Sequence, residues 1–125
     1  MTSGALPIIM IGNETTRQPP AKVIAFRTAT RELEHKIREL AKDSGNILWG
    51  GHIRERMEER GFVSDDVLRV LRFGYARGEP ERTEQGEWKI KMVHRIKGAR
   101  DAGVVTIILH DDRLFLKTVE WEDQR

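Results

Sequence analysis

The sequence predicts an α+β domain in which N-terminal helices pack on an antiparallel β-meander. Two observations predict this class: apolar residues recur at three- and four-residue spacing in the first half of the chain, and the period changes to two after residue 87. A chain of 125 residues without cysteine has the length of one domain and forms no disulfide bonds. We therefore expect a single α+β domain over residues 21–125, preceded by a flexible arm over residues 1–20.

Composition narrows the class of protein further. Charged residues make up 34% of the chain and hydrophobic residues 38%, which is too apolar and too patterned for a disordered protein. No apolar run approaches the ~20 residues of a membrane span. The formal net charge is only +2, but 15 of the 22 cations are arginine. This excess favours an anionic partner, although a solvated arginine-rich surface explains it equally well. The default expectation for location is the bacterial cytoplasm.

The first twenty residues have a composition of their own. Residues 6–11 are a short apolar run, and a polar segment that ends in Pro19-Pro20 follows it. A secretory signal would have a basic start, a longer apolar stretch and a small-residue cleavage site, and we find none of these features. We expect a flexible arm with a short strand that could add to this sheet or to a partner's, and a folded domain that begins after Pro20.

The first predicted helix covers residues 30 to about 42. Its apolar residues recur at helical spacing and are Leu33, Ile37, Leu40 and Ala41. Thr28 or Thr30 could cap its start, and the turn formers of residues 43–46 end it. Residues 47–49 form a short extended segment.

Two further helices are bounded by glycine. The first covers residues 52–60 after Gly50-Gly51, and it ends at Gly61. The second begins at Ser64-Asp65-Asp66, where a capping hydroxyl and two carboxylates lie at the positive end of the helix dipole. Gly74 ends this second helix.

Strands follow the helices. Residues 75–86 are polar and turn-rich, and we expect a loop there. Residues 88–97 alternate as a strand with one buried face. Residues 97–103 form a loop, and residues 104–109 are apolar on both faces, which places their strand centrally in the sheet. Residues 110–113 form a hairpin turn, and residues 114–121 return as the last of about three strands.

A stripe of possible functional side chains lies along the second helix. His52, Arg56 and Arg60 are four residues apart and fall near about 0°, 40° and 80° on the helical wheel, beside Ile53 and Met57 at about 100° and 140°. The stripe therefore borders the face that packs on the core, where an arginine needs a fixed partner or an anionic ligand. For such a helix taken alone we favour a structural role, in which Arg60 bonds backbone carbonyls or the carboxylates of the next helix.

The strand of residues 88–97 carries a second candidate feature. The face opposite its apolar residues carries Lys89, Lys91 and Arg95, and residues 87–100 contain five cations against the single anion Glu87. A row of cations on a strand can follow a phosphate backbone. A solvated outer face, or protection of a sheet edge by lysine, explains the row equally well. If this face meets the helix stripe, His52, Arg56 and Lys91 line one groove.

Other chemistry has weaker support. The four histidines lack metal-ligand spacing, and there is no glycine-rich phosphate loop, so we expect no metal and no cofactor. Tyr75 could donate a proton near the groove, but packing explains it more readily. Trp49, Trp88 and Trp121 are expected to pack on the core or its rim, although one of them could stack a base.

The segment from His52 to Gly61, with His, then Arg-Met four residues later and then Glu-Arg-Gly, resembles the small prokaryotic family called domain of unknown function 4258. The resemblance continues through the Ser64 helix to the strand Lys117-Thr118-Val119-Glu120-Trp121, and so covers about residues 50–121. The last strands are also similar in architecture to RelE- and MqsR-type toxins, which are small messenger-RNA endonucleases.

The resemblance implies a RelE-like fold and a metal-independent endoribonuclease, the toxin of a toxin–antitoxin pair. His52 would then be a general acid or base, Arg56 and Arg60 would stabilise the pentavalent phosphate, and Lys89, Lys91 and Arg95 would hold the RNA backbone. Its partners would be RNA, either free or ribosome-bound, and an antitoxin protein. The acidic end of residues 120–123 departs from the catalytic ends of those toxins. Two alternatives stay open: a non-catalytic nucleic-acid-binding module and a small protein-interaction domain.

Overall fold

The structure is a computed structural model that describes residues 21–123, with side chains from residue 29 onward. The helices of this part are α1 (Ala21–Leu40), α2 (Gly51–Arg60) and α3 (Ser64–Phe73). The strands are β1 (Ile47–Trp49), β2 (Tyr75–Arg82), β3 (Trp88–Ile96), β4 (Arg100–Ile108) and β5 (Leu114–Trp121). The predicted α+β class is therefore confirmed. The predicted arm of residues 1–20, with its strand, lies outside the described residues.

The five strands form one mixed sheet in the order β1-β5-β4-β3-β2. Strands β2 to β5 are an antiparallel meander, as expected, and β4 lies in the centre. The short strand β1 pairs in parallel with β5, so the expectation of a purely antiparallel sheet is wrong. A parallel pair needs a long connection, and here two helices and three strands separate β1 from β5.

Strand β2 is the main element that the sequence analysis missed. It was predicted as a loop, but it pairs with β3 along the edge of the sheet. Its register shifts between Arg77 and Glu81, where Gly78 has a φ of 81° and Pro80 lacks a donor. An edge strand tolerates both features because one side of its backbone is unpaired. Since most of its residues face solvent, no apolar alternation marks it.

Several boundaries also differ from the prediction. Helix α1 begins at Ala21, so Thr28 and Thr30 lie inside it and do not cap it. Strand β4 begins at Arg100, within the segment predicted as a loop. The predicted starts and ends of α2, α3 and β5 are confirmed within a residue.

The start of α3 uses a carboxylate where a hydroxyl was expected. The cap residue is Val63, and the Asp66 carboxylate accepts a hydrogen bond from the Val63 N–H at 3.0 Å. Ser64 lies inside the first turn. Asp66 is buried and also lies 3.2 Å from the Lys97 ammonium, so its charge is compensated.

The described helices pack on one face of the sheet, where the buried residues form a single core. Ile37 of α1, Ile53 of α2 and Val67 of α3 contribute to it, with Met92 and Leu116 among the strand residues. Because side chains alternate along a strand, Lys91, Val93 and Val105 point to the opposite face. That outer face carries no helix of the described chain. None of the helices over residues 21–123 has the length and apolar character of a membrane span.

Helix side chains satisfy backbone groups at both edges of the sheet. At the β2 edge, the Glu34 carboxylate accepts the Ala76 N–H at 2.7 Å, and Arg38 Nε donates to the Gly74 carbonyl at 2.8 Å. On the opposite side of the sheet, strand β5 extends past the short strand β1 and is unpaired there. Arg60 donates to the Val119 carbonyl of this unpaired part at 2.7 Å. These bonds fix α1 and α2 along opposite edges.

The junction between α3 and β2 requires glycine at position 74. A Cβ there would lie 2.6 Å from the Val93 carbonyl oxygen and would also contact the Val70 carbonyl oxygen. We expect Gly74→Ala to lower the free energy of unfolding by about 2–3 kcal/mol because backbone atoms must move. Urea denaturation measures this change. Gly51→Ala is the control: no atom lies within 4 Å of its new Cβ, and a comparable loss there would contradict the explanation.

Candidate functional site

The helix stripe occupies the border of α2 with the core, as the helical wheel predicts. Ile53 is fully buried, Met57, Arg56 and Arg60 are half-buried, and His52 is exposed. The exposed position of His52 leaves its ring without a hydrogen bond to any described residue. The stripe thus consists of one exposed imidazole, that of His52, and two half-buried guanidinium groups, those of Arg56 and Arg60.

Both guanidinium groups of the stripe have partners within the protein. Arg60 donates to the Val119 carbonyl, and the Trp121 indole N–H donates to the Arg60 carbonyl at 2.9 Å. Arg56 pairs with the Glu59 carboxylate at 2.8 Å, and that carboxylate is 57% exposed. The structural alternative, in which Arg60 bonds backbone carbonyls, therefore describes this residue.

The cations of β3 are paired with carboxylates of neighbouring elements. Lys89 lies 3.3 Å from Glu81 of β2, and Arg95 lies 3.3 Å from Asp101 of β4. Arginine and lysine were predicted to form a basic surface here, but the acids of adjacent strands largely neutralise it. The exposure of Arg95, at 68%, leaves that pair able to exchange partners.

Lys91 is the centre of a larger polar network on the outer face. Its ammonium lies 2.9 Å from carboxylate oxygens of both Glu120 and Glu122. Glu122 also accepts from Arg77 at 3.0 Å, and Arg77 donates to the Tyr75 hydroxyl at 3.0 Å. We call these five residues the sheet cluster. The cluster crosses from β5 to the edge strand β2.

Strand register brings the sheet cluster together. Tyr75, Val93, Gly103 and Glu120 are successive partners across four strands, so the phenol and the Glu120 carboxylate stand in one row. Arg77 and Lys91 are partners in the next row. Long side chains of one row can therefore reach the other.

Gly103 creates the space beneath the network. A Cβ at this position would lie 2.5 Å from a carboxylate oxygen of Glu122 and 3.1 Å from Cδ of Lys91. The two side chains therefore lie directly on the backbone of the central strand. The Glu122 side chain is consequently only 7% exposed. Its buried charge therefore requires its two cationic partners, Lys91 and Arg77, to offset the cost of desolvation.

The network fixes the charge of its central groups. The hydrogen bond from Lys91 lowers the pKa of Glu120, and the charges of Lys91 and Arg60 lower it further, although burial opposes them. Burial alone would lower the pKa of Lys91, but its hydrogen bonds to Glu122 and Glu120 more than offset burial and raise it. At neutral pH the cluster thus contains an ionised Glu120 beside a stable ammonium.

Glu120 connects the sheet cluster to the helix stripe. It follows Val119, whose carbonyl Arg60 holds, and the charge of Arg60 acts on the pKa of Glu120. His52 and Arg56 make no hydrogen bond or ion pair with the cluster among residues 29–123. The groove expected from His52, Arg56 and Lys91 is therefore not formed, because α2 packs on one face of the sheet and Lys91 points to the opposite face.

Two surface cavities lie on the helical side of the sheet. One, of about 210 Å³, is lined by Trp49, Arg54, Met57 and Ser64. The other, of about 200 Å³, is lined by Asp65, Leu68, Arg69, Arg72 and Phe73. Neither cavity includes a residue of the predicted site. Within the described residues, no three His, Cys, Asp or Glu side chains are grouped as metal ligands.

Comparison with known proteins identifies no relative. No family model, no curated protein and no solved structure matches the chain. The resemblance stated from the residues therefore stays a prediction.

Sequence reasoning missed most of the sheet cluster: Tyr75 was named with a weak role, and Arg77, Gly103, Glu120 and Glu122 were not identified. A signal for the acids was present, because Thr118, Glu120 and Glu122 alternate with Val119 and Trp121. That alternation puts two carboxylates on the same face as the cations of β3. Arg77 carried no such signal, since β2 was not recognised as a strand.

We expect Lys91→Met to lower the free energy of unfolding at neutral pH by about 1–3 kcal/mol, because it leaves Glu120 unpaired and Glu122 with Arg77 alone. A depressed carboxyl pKa stabilises the folded state above the ordinary value of 4.5, and this contribution disappears as the pH falls through the folded pKa. The difference between wild type and variant should therefore shrink on acidification. Urea titrations between neutral pH and acid measure it. Lys89→Met, whose partner Glu81 is 67% exposed, should cost under about 1 kcal/mol.

The two arginines of the stripe should differ in their effect on stability. Arg60→Met leaves the Val119 carbonyl without its donor and should cost about 1–3 kcal/mol. Arg56→Met removes a pair with a mostly exposed carboxylate and should cost less than about 1 kcal/mol. Equal losses in thermal or urea unfolding would contradict this assignment.

Proposed function

We propose that the protein is a metal-independent endoribonuclease that acts from the sheet cluster on the outer face. One observation carries this proposal: the Glu120 carboxylate and the Tyr75 hydroxyl belong to one row, and the Arg77 and Lys91 cations of the next row link them by hydrogen bonds through Glu122. A base, an acid and two cations are the groups that cleavage of RNA by its own 2′-hydroxyl requires.

The proposed reaction is transesterification within the RNA chain. Glu120 takes the proton of the 2′-hydroxyl, and the 2′-oxygen forms a bond to the adjacent phosphorus. The bond from phosphorus to the 5′-oxygen breaks, and Tyr75 donates a proton to that oxygen. The products are a 2′,3′-cyclic phosphate and a 5′-hydroxyl. Lys91 and Arg77 stabilise the charge that develops on the phosphoryl oxygens.

The electrostatics of the cluster fix the charge of two of these groups. The lowered pKa of Glu120 keeps it ionised at neutral pH, although it also makes the carboxylate a weaker base, and the raised pKa of Lys91 keeps it a cation. Glu122 is a positioning residue, since it is buried between Lys91 and Arg77. The row from Tyr75 to Glu120 spans three strand spacings, or roughly 14 Å between Cα atoms. Hydrogen bonds bridge that span, because Lys91 donates to Glu120 and Glu122, and Arg77 donates to Glu122 and the Tyr75 hydroxyl.

This proposal reassigns the roles of the residues named from the sequence. The general base moves from His52 to Glu120, and Arg60 becomes a positioning residue that supports β5 through Val119. Lys89 and Arg95 are retained as phosphate contacts, because their exposed ion pairs can exchange a carboxylate for an RNA phosphate. The proposed setting is a cytoplasmic toxin bound by an antitoxin protein.

A protein-interaction domain is the second candidate. It is favoured by one observation, the pairing of Lys89, Lys91 and Arg95 with carboxylates of this chain. Such pairing weakens attraction for a polyanion. The candidate predicts that the purified protein has no measurable affinity for RNA at low salt.

We expect Glu120→Gln to reduce the rate of RNA cleavage at least about 100-fold in the presence of a metal chelator. Glutamine keeps a hydrogen-bond acceptor for Lys91 but cannot take the proton. Tyr75→Phe should reduce the rate at least about tenfold by removing the proton donor. Cleavage of a labelled RNA, with detection of the cyclic phosphate product, measures both.

Glu84→Gln is the matched control, because this exposed carboxylate lies in the β2–β3 connection and forms no hydrogen bond or ion pair with the cluster. His52→Ala tests the assignment made from the sequence and should retain the wild-type rate. Loss of activity in His52→Ala with full activity in Glu120→Gln would return the catalytic role to the helix. Absence of RNA cleavage by the wild type, both with and without ribosomes, would refute the assignment of endoribonuclease activity.

A further inference from the structure

The end of α3 exposes an aromatic side chain to solvent. Phe73 is 66% exposed, the highest value among the exposed large hydrophobic residues Val63, Phe73 and Tyr75. It is the last residue of α3, and its ring lies 6.4 Å from the ring of His94 on β3. The exposed Phe73 side chain is not part of the hydrophobic core described above.

The cavity beside Phe73 is rich in cations. It measures about 200 Å³, and Leu68 contributes apolar surface, while Arg69 and Arg72 contribute guanidinium groups. Arg69 makes no hydrogen bond or ion pair with residues 29–123, and Arg72 donates through Nε to the Ala41 carbonyl at 2.7 Å. Asp65 is the one carboxylate in the lining. In contrast to the cations of β3, neither arginine forms an ion pair with a carboxylate of residues 29–123.

This cavity adjoins the sheet cluster. Phe73 and Tyr75 flank Gly74, so their Cα atoms are at most about 7.6 Å apart. Phe73 lies on the helical side of the sheet, and Tyr75 lies on the outer face. Gly74 between them is buried, and its carbonyl accepts a hydrogen bond from Arg38 of α1, so an RNA strand that contacts both rings has to pass around this junction.

We infer that the cavity beside Phe73 binds an unpaired base of single-stranded RNA, which stacks on Phe73 while Arg69 contacts a flanking phosphate. The inference rests on the proposed function, since it supplies the substrate class of that site. An exposed aromatic ring beside arginines that have no carboxylate partner among residues 29–123 is the combination that binds single-stranded nucleic acid with little dependence on sequence. Duplex RNA keeps its bases stacked and does not fit this subsite.

The test measures binding apart from cleavage. A fluorescently labelled short RNA with every 2′-hydroxyl methylated cannot be cleaved, and its fluorescence anisotropy reports binding to the full chain. Phe73→Ala should weaken binding about tenfold, whereas Phe73→Trp should preserve it. Arg69→Gln should weaken binding and reduce the salt dependence by about one phosphate contact. Val63→Ala, which truncates an exposed apolar residue before α3, is the matched control and should have no effect.

The outcomes separate this inference from the proposed function. Wild-type affinity in Phe73→Ala, or an equal loss of duplex and single-strand binding, overturns the subsite and leaves the nuclease assignment intact. Selective loss of single-strand binding in Phe73→Ala supports the subsite, even if the wild type fails to cleave unmodified RNA and the nuclease assignment falls. Absence of RNA binding by the wild type overturns the subsite.

Discussion

Unpaired backbone groups at the two edges of the sheet are the constraint on which the placement of the helices depends. A carbonyl or N–H shielded by packing must find a hydrogen-bond partner. Arg38 and Glu34 of α1 supply partners at the β2 edge, and Arg60 of α2 supplies one at the β5 edge. Arg72 does the same for the last turn of α1. Part of the arginine excess therefore serves the backbone of this chain, because a guanidinium combines a long reach with several donors.

On the outer face, by contrast, charged side chains neutralise one another's charge above a small residue of the sheet. Gly103 lets Lys91 and Glu122 lie on the backbone, and their burial would be costly without the bonds that join them. The same bonds restrict their motion. Electrostatic stabilisation of a transition state depends on charges that are already oriented before the substrate binds. A paired and partly buried cluster meets that requirement better than a row of free lysines, although it attracts an RNA phosphate less strongly from a distance.

The sequence was sufficient to predict the elements that carry a regular apolar period or clear capping residues. It was not sufficient to predict hydrogen bonds and ion pairs between residues that are distant along the chain. Strand β3 buries Ile90, Met92 and Ile96 on its helical face, so its period of two located it, and helix α3 was located by its capping residues and by Gly74. Strand β2 has no buried apolar face and was therefore not predicted as a strand. The bond from Arg60 to Val119 and the pairing of Lys91 with Glu120 depend on packing and register. Residue spacing identified Arg60 and Lys91 as notable cations but could not assign their partners.

The helix stripe and the sheet cluster are connected through two consecutive residues of β5. Arg60 holds the carbonyl of Val119, and the side chain of Glu120 emerges on the outer face beside Lys91. The bond from the Trp121 indole to the Arg60 carbonyl fixes the same segment from its other side, and Arg100 lies 4.1 Å from that indole ring. Any shift of the end of α2 therefore moves the backbone that carries Glu120. The Arg60 end of this helix pattern is thus explained by its effect on a strand, because Arg60 acts on the position and charge of a carboxylate that is sixty residues away.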